Sequence, residues 1–345
     1  MRLLGENLRT GVAALASILL LAACGGGDDG AQGETTEGIN KAEFKIGLVT
    51  DVGQLNDRGF NQLAYEGLKR AEKELGVEIR VAQSRSASDY IPNHTSLARQ
   101  GFDLIIGVGF AQGDAVDAAA MKMPDTSYAI VDVDQQSLKH KPANVVGLLF
   151  REEEAGYLAG VLAGLSVKKD KTPVVGSVGG FKEPPVDRFI AGYQAGAEWA
   201  APQVKTLNSY SSDWDDQAKC KEIAFDQISR GASVVFQVAG GCGLGALDAA
   251  KERSVWGIGV DADQSFLGSF VLTSAMKHVD EAVFRTIKSV VDDNFEGGKS
   301  LVFGLKEDGV GLGRINPKIP EQDRRVVDDV QKRIRAGEIK IPRTL

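Results

Sequence analysis

The sequence predicts an α/β fold of two doubly wound units, each a parallel sheet with helices on both faces. Three observations carry that expectation. Short apolar runs of strand length alternate with longer runs of helical period. The alternation restarts after Phe150 with the same rhythm. The loops at the expected carboxyl ends of the strands are rich in glycine and carboxylate, where such sheets bind ligands.

In the first unit, residues 45–50 form a short apolar run ending at Asp51. A turn then leads into a helix over about residues 61–75, with Leu63, Gly67, Leu68 and Ala71 inward and Gly76 as its stop. Strand 77–82, helix 90–100, strand 104–108, helix 113–121 and strands 127–131 and 145–149 follow. The second unit opens with a helix over 152–165, whose Ala155, Gly156, Ala159, Gly160, Ala163 and Gly164 allow close helix packing. Strand 174–178, helix 187–200, strand 204–210, helix 217–229 and strand 232–238 come next. Helix 244–251, strands 255–260 and 270–274 and helix 280–295 complete it. Strands flanked by helices at this spacing argue for parallel sheets. The charged run 321–337 reads as a helix with a solvated face.

Composition narrows the function classes. With 345 residues, 43% of them hydrophobic, the chain can fill two ordinary cores. Its 47 acidic and 40 basic residues leave a net charge of -7, which repels phosphate backbones, so no nucleic-acid partner is expected. Three histidines and three cysteines are too few for a multi-ligand metal cluster, although carboxylates could supply an oxygen site. Neither a metal nor a cofactor is expected.

Residues 1–23 read as a cleaved export signal. Arg2 and Arg9 precede an apolar run from Val12 to Ala23. Twelve residues rise only about 18 Å as a helix, short of a bilayer core of roughly 30 Å. Leu21-Ala22-Ala23-Cys24 resembles a bacterial lipobox, which implies that Cys24 is lipidated and becomes the mature N-terminus. Residues 24–42 lack aromatics and apolar bulk, as a flexible tether does. No later stretch is apolar for 18 residues, so the expected product is a soluble body held outside the cytoplasm by an N-terminal lipid.

Catalytic motifs are scarce. Gly241, Gly243 and Ala246 form a G-x-G-x-x-A pattern between a strand and a helix, but the first strand carries none and no complete phosphate loop occurs. No G-x-S-x-G elbow exists, and His94, His140 and His278 lie in different elements. The pairs Asp132/Asp134 and Asp261/Asp263 flank strand ends, where they could act on glycosides or accept hydrogen bonds from hydroxyls and base nitrogens. Cys220 and Cys242 are the cysteines of the mature body; an oxidising compartment allows a disulfide, and two buried thiols fit as well.

Several motifs together resemble the basic membrane protein family of lipoprotein substrate-binding components of bacterial ABC transporters. They are Gly47-Leu48-Val49-Thr50-Asp51-Val52-Gly53, Asn56-Asp57-Arg58-Gly59-Phe60-Asn61, Phe150-Arg151-Glu152-Glu153-Glu154-Ala155-Gly156, Val238-Ala239-Gly240-Gly241, Gly259-Val260-Asp261-Ala262-Asp263-Gln264 and Leu272-Thr273-Ser274-Ala275-Met276-Lys277. The likeness runs from about residue 44 to 320. It implies a type I periplasmic-binding-protein fold: two Rossmann-like lobes, a three-strand hinge and a ligand in the cleft. The lobes are expected over 43–150 plus about 268–296, and over 151–267 plus about 297–345.

Characterised members of that family bind nucleosides, especially purine nucleosides. The resemblance implies that Asp51, Asn56, Asp57 and Asn61 are first-lobe polar contacts and that Phe60 stacks on the base. It places Asp261 at the ribose, Asp132 beside the hinge and Lys277 after the late strand. Phe236 is the candidate for the second stacking ring, with Trp214 its rival. The cysteine pair is not part of the family pattern. The expected role is capture of a nucleoside for an ABC permease and ATPase, by a monomeric body that catalyses nothing. Two alternatives stand beside it: a ligand-sensing or adhesive surface lipoprotein of the same fold, and a nucleoside- or glycoside-processing enzyme.

Overall fold

The computed structural model describes residues 44–345. The signal, Cys24 and the tether expected over 1–42 lie outside the described residues.

The first repeat runs β1 (Lys45–Val49), α1 (Phe60–Leu75), β2 (Glu78–Ala82), α2 (Tyr90–Arg99), β3 (Leu104–Gly107), α3 (Gly113–Lys122), β4 (Ser127–Val131) and β5 (Val145–Phe150). Helix α4 (Glu152–Val167) then leads into β6 (Val174–Gly179), α5 (Pro184–Ala200), β7 (Lys205–Tyr210), α6 (Gln217–Ser229) and β8 (Val234–Val238). The second repeat closes with α7 (Gly243–Glu252), β9 (Trp256–Asp261) and β10 (Val271–Lys277). Helix α8 (Val279–Val291), β11 (Lys299–Phe303), β12 (Val310–Leu312) and α9 (Glu321–Arg335) follow.

Two six-stranded sheets result, in the orders β2-β1-β3-β4-β5-β11 and β7-β6-β8-β9-β10-β12. The shared core order, with the first strand between the second and third, is that of a doubly wound sheet. Pairing is parallel throughout except between β12 and β10. The central strands β3 and β8 are buried at every position, and apolar apart from Gln237, because both of their faces are covered.

The strand pairing corrects the expected lobe boundaries at two places. β10 pairs with β9, so residues 271–277 belong to the second lobe rather than the first. β11 pairs with β5, so residues 299–303 return to the first. Helix α8 packs on α1 of the first lobe, and the backbone of Asp280 comes so close to Gly67 that a Cβ there would lie 2.4 Å from the Asp280 carbonyl oxygen. The chain therefore crosses between lobes three times, after β5, after β10 and after β11. Periodicity shows that a strand exists; its hydrogen-bonded neighbour decides which sheet it joins. β11 and β12 escaped the sequence reading because they are short edge strands, the first largely exposed.

The small residues of α4 meet those of α5 in a close helix pair. A Cβ at Gly160 would lie 2.0 Å from the carbonyl oxygen of Tyr193. Gly156, Gly192 and Gly196 face similar backbone approaches. Among the described residues, no helix is long and apolar enough to cross a membrane.

Candidate functional site

The carboxyl ends of both sheets face one cleft, beside the switch points where strand order reverses, β1/β3 and β6/β8. The cleft holds about 640 Å³ of space outside the protein atoms, a size suited to a small organic molecule. Seven expected residues line it: Asp51, Asp57, Phe60, Asn61, Asp132, Asp261 and Lys277.

The loop between β1 and α1 is tied together by its own side chains. The Asp57 carboxylate accepts hydrogen bonds from the backbone N–H groups of Gly59 (3.0 Å), Asn61 (2.9 Å) and Gln62 (3.2 Å), and from Asn61 Nδ2 (3.3 Å). These donors use its lone pairs, so Asp57 anchors the start of α1 and holds Phe60 in place. Asn61 Oδ1 accepts the backbone N–H of Asp51 (3.2 Å). Asp51 in turn accepts from its neighbour Val52 (2.7 Å) and from the Tyr90 hydroxyl. Its Oδ2 lies against Gly109, where a Cβ would come within 2.4 Å. Gly109 also has φ +114°, so any side chain there would be strained as well as crowded.

Asp132 and Asp261 hold corresponding positions, at the ends of β4 and β9. Both belong to a repeated Val-Asp-x-Asp-Gln stretch, residues 131–135 and 260–264. Both are buried and left-handed, with φ 73° and 62°. The second aspartate of each stretch instead accepts turn N–H groups, of Gln136 (3.1 Å) and Ser265 (3.0 Å). Lys277 is fully buried at the end of β10, and its Nζ donates to both Asp132 oxygens (2.7 and 2.8 Å) and to Glu152 Oε1 (3.0 Å). Glu152 Oε2 accepts from Arg188 Nε (2.6 Å). No donor among the described residues reaches the Asp261 carboxylate. On the same side, Gln264 Nε2 donates to the carbonyl of Arg58 (3.2 Å), joining the lobes.

Burial pushes the Asp261 carboxyl up to about 7; Lys277 pulls the other way, while Asp57, Asp132 and Glu152 add to the rise. Burial opposes the charge of Lys277, yet Asp132, Glu152 and Asp261 outweigh it and raise its pKa.

Two expected residues fall elsewhere. Asn56 is exposed and lines a neighbouring groove with Arg58 and Asp215. Phe236 is wholly buried behind the cleft wall, against Phe189 (centroids 6.2 Å) and Tyr193 (5.0 Å). An alternating strand in a doubly covered sheet buries both faces, so apolar character could not show that Phe236 points away. Its rival Trp214, on the loop between β7 and α6, lines the cleft. Sequence reasoning did not assign Phe110 or Glu183, which also line it. Phe110 follows a glycine-rich strand end, a signal that could have found it. Glu183 precedes Pro184 at the start of α5, where nothing marks a ligand contact. Burial, then the charges of Asp51 and Asp132, push its carboxyl up to about 7.

The sulfurs of Cys220 and Cys242 are bonded, and both residues are buried. Among the described residues, no three His, Cys, Asp or Glu side chains are grouped to hold a metal ion.

Residues 44–344 match the family model Bmp, described as ABC transporter substrate-binding protein PnrA-like. The ABC transporter nucleoside-binding protein BmpA of Lactococcus lactis is 38% identical, over 95% of this chain and 96% of that protein. Basic membrane protein A of Borreliella burgdorferi is 35% identical, over 86% of this chain and 87% of that protein. Among solved structures, an ABC transporter solute-binding protein from Aeropyrum pernix superposes with a TM-score of 0.79 at 27% identity, covering 86% of this chain and 92% of that one.

Proposed function

The chain belongs to the Bmp family of PnrA-like ABC transporter substrate-binding proteins, and on that premise we propose that it captures purine nucleosides outside the cytoplasm. One observation carries this reading. An unpartnered, buried carboxylate, Asp261, shares a cleft with two aromatic residues from opposite lobes, Phe60 and Trp214. A carboxylate accepts the two hydroxyls of a ribose with charge-assisted hydrogen bonds. Aromatic faces stack on a base, worth roughly 1–3 kcal/mol each by analogy with nucleobase platforms. Five carboxylates line the cleft against one lysine, Lys277, which is itself engaged. That balance disfavours a nucleotide's phosphate.

In this reading the ligand is bound and released unchanged. Nucleoside binding brings the lobes together, and the closed form delivers the ligand to an ABC permease powered by an ATPase. Lipidated Cys24 anchors the protein to the membrane, which labelling with a fatty-acid analogue and its loss in Cys24→Ala would check. The deciding experiment is native mass spectrometry of the purified protein, followed by calorimetric titration with guanosine, adenosine and their 5'-monophosphates. Tight nucleoside binding, weak nucleotide binding and intact nucleoside after incubation are expected. Equal affinity for the monophosphates would overturn the charge argument, and turnover would overturn the binding-only role.

A further inference from the structure

We propose that the Cys220–Cys242 disulfide is a positioning element of the cleft: it clamps the loop that carries Trp214 against the Gly240–Gly241 backbone and so fixes one aromatic wall. The proposal rests on the reading of Trp214 as a ligand-facing ring.

Trp214 sits on a loop with little apolar support of its own. Asp213 accepts the N–H groups of Asp215 (2.9 Å) and Asp216 (3.0 Å), and Ser211 Oγ donates to the Asp213 carbonyl (2.8 Å). These bonds shape the turn but do not attach it to the body. The start of the loop is joined to the end of β6, where the N–H groups of Ser211 and Ser212 donate to the carbonyls of Gly179 (2.8 Å) and Gly180 (3.0 Å), and Trp214 itself is held from the other side. The N–H of Cys242 donates to the carbonyl of Trp214 (2.8 Å). The indole ring fills the space beside Gly180, where a Cβ would lie 2.1 Å from Cζ3, and packs on Phe181 with centroids 5.4 Å apart. Gly240 and Gly241 approach the Trp214 carbonyl, within 3.5 and 3.2 Å of their Cβ positions.

The disulfide closes this arrangement covalently. Cys220 lies in the first turn of α6, six residues after Trp214, and Asp216 caps that helix. Cys242 stands one residue beyond Gly241, immediately before α7. The bond therefore ties the helix that ends the Trp214 loop to the backbone that receives the Trp214 carbonyl. Trp214 on the one side and Gly240 and Gly241 on the other line the cleft. Fixing a ring in its bound position before the ligand arrives removes an ordering cost of about 0.5–1.5 kcal/mol per side chain, a factor of about 2 to 10 in affinity.

The test uses the full soluble body in a Trp199→Phe/Trp256→Phe background, so that Trp214 alone fluoresces. Cys220→Ala/Cys242→Ala is compared with the bonded protein. Time-resolved anisotropy without ligand reports the ring's local motion, and stopped-flow fluorescence reports guanosine dissociation. The proposal expects a larger fast depolarisation and about 2- to 10-fold faster dissociation, with association changed less. Unchanged anisotropy and dissociation, even with a lower melting temperature, would overturn it, because the bond would then staple only α6 to α7. Two free thiols in unfolded, unreduced protein would overturn it as well. If Cys220→Ala/Cys242→Ala does not fold, Cys220→Val/Cys242→Ala restores volume and carries the same two readings. If the bonded protein binds no nucleoside, the ligand reading fails while the anisotropy still decides what the disulfide does.

Discussion

Asp132 and Asp261 occupy equivalent left-handed positions in the two lobes, yet Lys277 pairs with Asp132 and leaves Asp261 without a protein partner. The duplicated Val-Asp-x-Asp-Gln stretch thus gives two carboxylates of one geometry and two roles. One is neutralised across the hinge by a lysine from the other lobe. The other has no protein donor and lines the cleft, and strained, unpaired groups of this kind belong where a ligand completes them.

Asp261→Asn is expected to separate stability from binding. Removing a buried, unpaired charge should stabilise the ligand-free protein at pH 8 by about 1–3 kcal/mol. The same change should cost about 2–4 kcal/mol of guanosine affinity and erase most of the discrimination against 2'-deoxyguanosine. Denaturant titration and calorimetry on one preparation check both directions.

Asp261 should make the ligand-free protein less stable as pH rises from about 4 to 7, read as the difference between wild type and Asp261→Asn in equilibrium unfolding. Asp261 keeps its proton in the folded state up to about 7, whereas an ordinary aspartate loses it near 3.8. Across that window the folded state binds more protons, so raising the pH favours unfolding by at most about 1.4 kcal/mol per pH unit for this group. Ribose hydroxyls need the ionised acceptor, so nucleoside affinity should rise over the same range. Calorimetry in buffers of different ionisation enthalpy should register proton release on binding at pH 6 and little at pH 8.5.

Trp214→Ala and Phe236→Ala should have opposite signatures. The first removes a cleft wall and should lower guanosine affinity by about 1–3 kcal/mol with little effect on ribose discrimination. The second empties a fully buried site and should cost about 3–5 kcal/mol of stability. Affinity and urea-unfolding measurements on the two variants distinguish wall from core.

Lys277→Met should destabilise the fold by about 3–5 kcal/mol near neutral pH, because Asp132 and Glu152 would lose a buried counter-ion. The loss should shrink at pH 5, where Asp132 can take up a proton. Equilibrium unfolding at both pH values checks this.

The sequence by itself determined the strand–helix rhythm, the doubling of the unit and most of the cleft. Glycine- and carboxylate-rich strand ends mark themselves, since a sheet's ligand loops need tight turns and polar groups. Asp51 and Asp261 were legible for that reason, and Asp132 through the carboxylate pair it forms with Asp134 at a strand end. Tertiary structure alone decided what spacing along the chain cannot encode. Whether β10 or β11 belongs to a lobe depends on which strand lies beside it. Whether Phe236 reaches the cleft depends on which side of β8 it projects from, and both faces of a doubly covered strand are equally apolar, whereas Trp214 reaches the cleft from a loop. Whether Asp132 or Asp261 remains free depends on the reach of one lysine 145 positions further along the chain from Asp132. Each of these is a relation between distant segments, settled by long-range packing rather than by local pattern.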